Sequence, residues 1–300
     1  MIISTTTGKL SKRFTLADAI KILADAGFDA YDYSIHYCEE NDPLYSDSWK
    51  EYLAKIRAGA DALGILCNQA HAPFPSRHND TPQHAEYNAT IFDRLVRSIE
   101  GSALLGAKAI VIHPIQCLPY AENVGYLRDS NLELYRALAP YAKKSGIKIA
   151  LENMFQRKDG VIVDSVCSQP EEFIDYLDTL ADDCFTACLD LGHCVLTQHN
   201  TADMIRALGS ERLTALHVHD NDNKTDLHTL PYHGKMDWEE ITDALAEIGY
   251  RGDFTLEADT FMARVPNELL TPIFTTMKAT ARYLADKVTA KAAKAVQTQE

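Results

Sequence analysis

The sequence predicts a single-domain α/β fold, the (β/α)8 TIM barrel, on three observations. Eight short apolar segments alternate with eight helical patterns along the chain. Their spacing, roughly thirty to forty residues, is that of parallel strands joined by helical crossovers. A length of 300 residues matches one such barrel of roughly 250 residues with insertions, and no linker or low-complexity insert divides it.

Taken in order, Met1–Ser4 is a short apolar start, and a helix pattern from Thr15 to Ala26 is closed by Gly27. Ala30–Ile35 reads as the second strand, ending near His36. A polar loop with Pro43 and Trp49 leads into a helix through Leu63, stopped by Gly64. The third strand, Ile65–Ala70, ends on His71, and the loop APFPSRHNDTPQ after it is too rich in proline and polar residues for regular structure. A long helix to Leu105 precedes the fourth strand, Ala109–Ile112, which His113-Pro114 ends. After a helix to Lys144, Ile147–Leu151 is strand five, ending on Glu152-Asn153. Pro170 opens a helix. Strand six, Phe185–Leu189, ends on Asp190, where Gly192 allows a sharp turn to His193. A helix at Thr201–Leu208 precedes strand seven, Leu213–Val218, with His217 and His219 at its end. Asp237–Ile248 is helical, Asp253–Leu256 is strand eight and Glu257 ends it. The last helix starts near Glu268, so the barrel domain spans 1–286 and residues 287–300 form an exposed, frayed tail.

With 46% hydrophobic and 24% charged residues, the chain reads as an ordinary soluble globular protein. Its net charge of -14 speaks against nucleic acid or anionic membrane as a partner. Seven cysteines, an odd number without a CxxC pair, fit reduced buried thiols, and neither a signal peptide nor a spanning apolar run is visible. A cytoplasmic protein is expected. Oligomers are frequent among such barrels, so a homo-oligomer is compatible with the sequence, although no exposed stripe demands one.

In this architecture the active site forms where strand C-terminal ends meet the following loops. Here strands three to eight end on His71, His113, Glu152, Asp190, His217 and Glu257, while His193 and the pair Asp226/His228 stand in the loops after strands six and seven. Singly, each has a plain reading: a satisfied rim histidine, a helix cap at Asp190, a solvated loop at Asp226–His228. As a set, with only eleven histidines in the chain, they point to a metal. Isolated buried carboxylates such as Glu152 and Glu257 would be costly without a counter-charge. Imidazole with carboxylate suits Zn²⁺, Mn²⁺ or Co²⁺ better than Ca²⁺.

The segments IALENMF, CLDLGHCVL, ALHVHDND and TLEAD, in this order and spacing, resemble the xylose isomerase-like TIM barrels, the sugar phosphate isomerase/epimerase superfamily. The resemblance covers nearly the whole chain and implies one divalent ion, zinc or manganese, on Glu152, Asp190, His217 and Glu257, with His219 a near alternative to His217. It also implies the two glutamates as acid and base. The related zinc abasic-site endonucleases hold three ions, and their further ligands resemble His71, His113, His193, Asp226 and His228, so one to three ions per chain are expected.

The leading expectation is isomerisation or epimerisation of a sugar or sugar phosphate, in which a cation polarises the carbonyl while Glu152 and Glu257 move the neighbouring proton through an enediolate. His193 would hydrogen-bond the substrate unless it is a ligand. A metal-dependent phosphodiesterase of the abasic-site type is the alternative, although the loops HYCEENDPLYSDSW and APFPSRHNDTPQ carry little basic charge for DNA. A dehydratase or lyase could use the same acid/base pair. His36, Trp49, Arg157, His219 and Lys224 are the substrate-contacting candidates, and Arg77, His78, Lys158, Lys235 and Arg264 are further loop residues that could set specificity. Ketose epimerases of the family use an arginine after the strand-seven histidine, but the matching stretch DNDNKTDLHTL offers only Lys224, a departure that weakens the resemblance to that substrate class.

Overall fold

The computed structural model describes residues 1–77 and 81–297, and the candidate His78 lies outside them. Eight parallel strands form the barrel: β1 (Ile3–Thr6), β2 (Ala30–Ser34), β3 (Leu66–His71), β4 (Ala109–Ile112), β5 (Lys148–Glu152), β8 (Phe185–Asp190), β9 (Leu213–His217) and β10 (Phe254–Leu256). They pair in the order β10-β1-β2-β3-β4-β5-β8-β9. The ring closes between β9 and β10, where Val218 donates to Thr255 O at 2.9 Å and Glu257 N donates to Val218 O at 3.0 Å. This last seam therefore fixes Glu257 beside the end of β9.

The two-residue period of a strand explains what faces inward. Ala109, Val111, Ala150, Cys188 and Ala215 form a small apolar layer of their own, contributed by β4, β5, β8 and β9. Two residues beyond this layer on the same face come His113, Glu152, Asp190 and His217. The alternate positions, among them Ile110, Ile112, Leu151, Leu189 and Leu216, join the large core beneath the helices. Small side chains thus fill the narrow barrel centre and leave the mouth to polar groups.

Helices cover the outside: α1 (Leu16–Asp25), α2 (Trp49–Leu63), α3 (Pro82–Leu105), α4 (Tyr120–Ser145), α5 (Pro170–Leu180), α6 (Leu191–Leu196), α7 (Thr201–Arg212), α8 (Trp238–Glu247), α9 (Asp259–Met262) and α10 (Leu270–Gln297). Thr15 caps α1 by accepting from Asp18 N. Gly64, Gly106 and Gly146 end α2, α3 and α4 in the left-handed conformation, as expected from sequence.

Three features depart from the sequence reading. The segment after β5 folds into an antiparallel hairpin, β6 (Phe155–Lys158) and β7 (Val161–Asp164), around Asp159-Gly160, both with positive φ. Asp190 is followed by the short helix α6 and not by a bare turn, because its side chain accepts from His193 N at 2.8 Å. The tail expected to be frayed from residue 287 continues α10 to Gln297: Val288 is buried, and Lys287 and Lys291 both pair with Glu239 on α8. Truncation after Asp286 should therefore lower unfolding stability by about 1–3 kcal/mol; an unchanged denaturation midpoint would mean that the last turns contribute nothing.

Candidate active site

The strand ends converge. One ligand atom each from Glu152, Asp190, His217 and Glu257 lies within 4.8 Å of the others. His217 Nδ1 sits 3.1 Å from Glu152 Oε1 and 3.2 Å from Glu257 Oε2, so the two glutamates share one imidazole edge. His71, His113 and Glu152 make a second group, His193, Asp226 and His228 a third, and His71 joins His217 and Glu257 in a fourth that overlaps the first. In the second, His113 Nε2 is 3.0 Å from both His71 Nε2 and Glu152 Oε2. In the third, His228 Nε2 is 3.0 Å from Asp226 Oδ2, and His193 Nε2 is 4.0 Å from Asp226 Oδ1.

Backbone carbonyls set the histidine tautomers. A carbonyl can only accept, so the Nδ1–H of His71 donates to Ala72 O, that of His193 to Asn153 O and that of His228 to Glu257 O. Each neutral ring then turns an Nε2 lone pair toward a carboxylate, an arrangement that requires a proton or a cation between them. Glu152 Oε2, Asp226 Oδ1 and His217 Nε2 are buried without a hydrogen-bond partner. This donor set, oxygen and imidazole nitrogen with unsatisfied buried oxygens, fits a divalent cation of the Zn²⁺ or Mn²⁺ type. Thiolates are not offered: burial pushes the nearby Cys188 thiol up to about 12.

The charges are held unequally. Burial opposes ionisation of Glu152, but His217 and His113 outweigh it and keep the carboxyl well below its ordinary range. Glu257 goes the other way, raised by burial more than His217 and His228 lower it. Glu152 is the better-stabilised anion and Glu257 the more readily protonated acid. Burial also disfavours charge on His217 and His228; Cys188, Glu257 and Glu152 overcome this for the first, and Asp226 and Glu257 for the second, raising both well above ordinary histidine. Burial wins at His113, which is drawn down to about 4.

Several residues that sequence reasoning passed over hold this arrangement. Asn153 ties β5 to β8, donating to Asp190 O at 3.0 Å and accepting from Asp190 N at 2.8 Å. Asp32, buried inside β2, accepts from Gln69 Nε2 and stands 4.0 Å from His217 Nε2. Asp220 is buried and accepts from Asn221 N, Tyr232 N, Met236 N and Trp238 Nε1, which pins the ends of the long loop carrying Asp226 and His228. Its place in ALHVHDND, directly after His219, was its only sequence signal.

The substrate-contacting candidates divide. His36 lines the cavity of about 690 Å³ above the cluster, together with His71, His113, His193, His228 and Arg77. His219 does not: it is fully buried, bonded through Nε2 to both Asp190 oxygens and stacked 4.1 Å from the His228 ring. Trp49 is core, packed against Leu44, Leu53 and Gly101 at the start of α2. Arg157 is exposed on the hairpin with its guanidinium 5.9 Å from Phe155, and Lys224 is exposed in its loop; neither lines the cavity. Lys158 pairs with Glu122, while Lys235 and Arg264 are exposed away from the cavity lining.

Gly192 exists for His219. A Cβ there would overlap the His219 ring, which Asp190 and His228 prevent from yielding. Gly192→Ala should cost about 1–3 kcal/mol by overpacking. Gly125→Ala in α4, where a Cβ meets nothing within 4 Å, should instead be neutral or stabilising. Equal thermal midpoints for the two variants would refute the packing account.

Residues 20–273 match the family model of the xylose isomerase-like TIM barrel. The chain is 26% identical over 249 residues to an uncharacterized protein of Methanocaldococcus jannaschii, covering 81% of this chain and 79% of that one. It is 25% identical over 235 residues to the D-psicose 3-epimerase of Enterocloster bolteae, covering 77% and 72%. A solved D-tagatose 3-epimerase-like protein superposes with a TM-score of 0.72 at 20% identity, over 99% of this chain and 100% of that one. A family match over most of the length, on a barrel whose strand ends converge as described, means that this chain belongs to the xylose isomerase-like TIM-barrel family.

Proposed function

We propose that this chain is a divalent-metal-dependent isomerase or epimerase of a sugar or sugar phosphate. The observation that carries the reading is the approach of Glu152 and Glu257 to one atom, His217 Nδ1, within one four-residue group. The resemblance to D-psicose 3-epimerase supports the same class of substrate.

Glu152, Asp190, His217 and Glu257 would hold the cation. When bound, it supplies Lewis acidity that makes a C–H bond next to a substrate carbonyl labile. The two glutamates then divide the proton work. Either carboxylate could remove the proton while the other returns one. His193 reaches the cavity with its Nδ1–H committed to Asn153 O, so its Nε2 serves either a substrate hydroxyl or a further cation, not both. His71, His113 and Phe74 line the same cavity.

In deuterated water the enzyme should exchange the proton next to the carbonyl of a ketose or ketose phosphate. Glu152→Gln and Glu257→Gln should each slow that exchange by about 10²–10⁴-fold. A metal-loaded protein that exchanges no proton across a broad panel of sugars would refute the assignment.

A second reading is favoured by one specific observation, the presence of two further groups, His71/His113/Glu152 and His193/Asp226/His228, beside the first. Three occupied groups would suit in-line phosphodiester hydrolysis. Cleavage of a duplex containing an abasic site at low enzyme concentration would establish it.

Cation binding should also release protons. The histidines with raised pKa hold protons, and with them the stability of their carboxylate contacts, at low pH; that stability is lost as pH rises through those raised values. A cation needs the same lone pairs, so its affinity should fall as pH is lowered, with net proton release on binding at pH about 7. Calorimetry in buffers of different ionisation enthalpy measures this release, and its absence would place the cation elsewhere.

A further inference from the structure

We infer that the substrate carries an oxyanion, a phosphate or a carboxylate, at the end remote from its carbonyl, and that Arg77 and Arg94 bind it. The inference rests on the sugar reading above but is tested by binding rather than turnover. The cavity over the cluster adjoins a second recess of about 590 Å³, and His36, Phe74 and Arg77 line both.

Arg77 is held in place by an aromatic ring and an amide. Its guanidinium lies 4.2 Å from the centre of the Tyr87 ring, and the Asn88 side chain clamps its backbone, accepting from Arg77 N and donating to Arg77 O, both at 2.9 Å. Among the described residues no carboxylate pairs with it, although the chain has 43 acids and a net charge of -14. Arg94 lies between two aromatic rings, 5.0 Å from Tyr45 and 5.3 Å from Tyr87. Among the described residues its one acidic ion pair is with Glu40, whose side chain is 73% exposed and thus easily exchanged for an incoming anion. Glu39 also borders the recess and is exposed.

Three polar atoms around the two cavities, His36 Nδ1, the Tyr45 hydroxyl and Ser76 Oγ, are buried without hydrogen-bond partners among the described residues. Buried groups of this kind are ordinarily satisfied. A polyhydroxylated anion would satisfy them and the planar guanidinium fork together, since arginine matches phosphate and carboxylate with paired N–H donors. The reacting end of such a substrate would lie over the carboxylates, and its anionic end would enter the recess.

The test is equilibrium binding of a ketohexose, its 6-phosphate and the matching hexuronate to the metal-loaded protein, to Arg77→Gln and to Arg77→Lys. The parent should bind the anionic sugars about ten- to hundred-fold more tightly than the neutral one, and Arg77→Gln should erase that preference, weakening the anionic sugars far more than the neutral one. Arg77→Lys should restore part of it. A stronger preference for the 6-phosphate identifies a sugar phosphate as the natural class, and one for the hexuronate a sugar acid. Equal affinity of the parent for neutral and anionic sugars would overturn the proposal. So would a preference that survives Arg77→Gln, since the anion would then be held at the cluster. Anion-selective binding without proton exchange would defeat the epimerase reading and leave this one standing.

Discussion

Like charges buried together are the constraint on which the mouth of this barrel depends. Glu152, Asp190 and Glu257 each contribute an oxygen to a cluster within 4.8 Å, and Asp226 stands in the adjoining group. Two carboxylates about 4 Å apart repel by about 4 kcal/mol at an effective dielectric near 20. Hydrogen bonds from the scaffold do not absorb this repulsion, because Glu152 Oε2 and Asp226 Oδ1 receive none. Histidines provide the interleaving positive charge in the metal-free protein, and the same lone pairs and oxygens are those a cation would take.

The scaffold is arranged to hold that cluster rigid. Small residues at the centre of the barrel let the next inward side chains stand at its mouth. The last seam, between Val218 and the β10 segment, sets Glu257 against His217. Asn153 locks Asp190 from one side and His219 from the other, and Gly192 clears the space that His219 fills. Asp220 gathers four donors from the loop that delivers Asp226 and His228. None of these supporting groups needs to touch a substrate to determine where the reacting ones sit.

Much of this was legible in the sequence, because strand-terminal residues follow directly from apolar runs bounded by Gly and Pro. Glu152, Asp190, His217 and Glu257 were placed at strand ends by that pattern alone. The choice between His217 and His219 was harder, since both face inward by the two-residue period; what separates them is the gap at Gly192, a packing fact. Trp49, a loop candidate by sequence, starts a helix and is buried in the core. The β6–β7 hairpin had a readable cue in Asp159-Gly160, a pair suited to the positive φ of a two-residue turn. Asp32 had none, being one acid among 43 on a strand whose neighbours are apolar or aromatic. Arg77 drew attention only as one of several loop cations; that no carboxylate among the described residues pairs with it is visible only in three dimensions.

The central claim is that acidic and imidazole groups from separate strands share a cation. The most direct measurement is metal content per chain after purification without chelator, made on the parent protein and on a Glu152→Ala/His217→Ala double variant. The account predicts one or more zinc or manganese ions retained by the parent and a loss of at least one from the folded double variant. A parent protein that retains no divalent ion and binds none on titration, or a double variant that keeps the full complement, would contradict it.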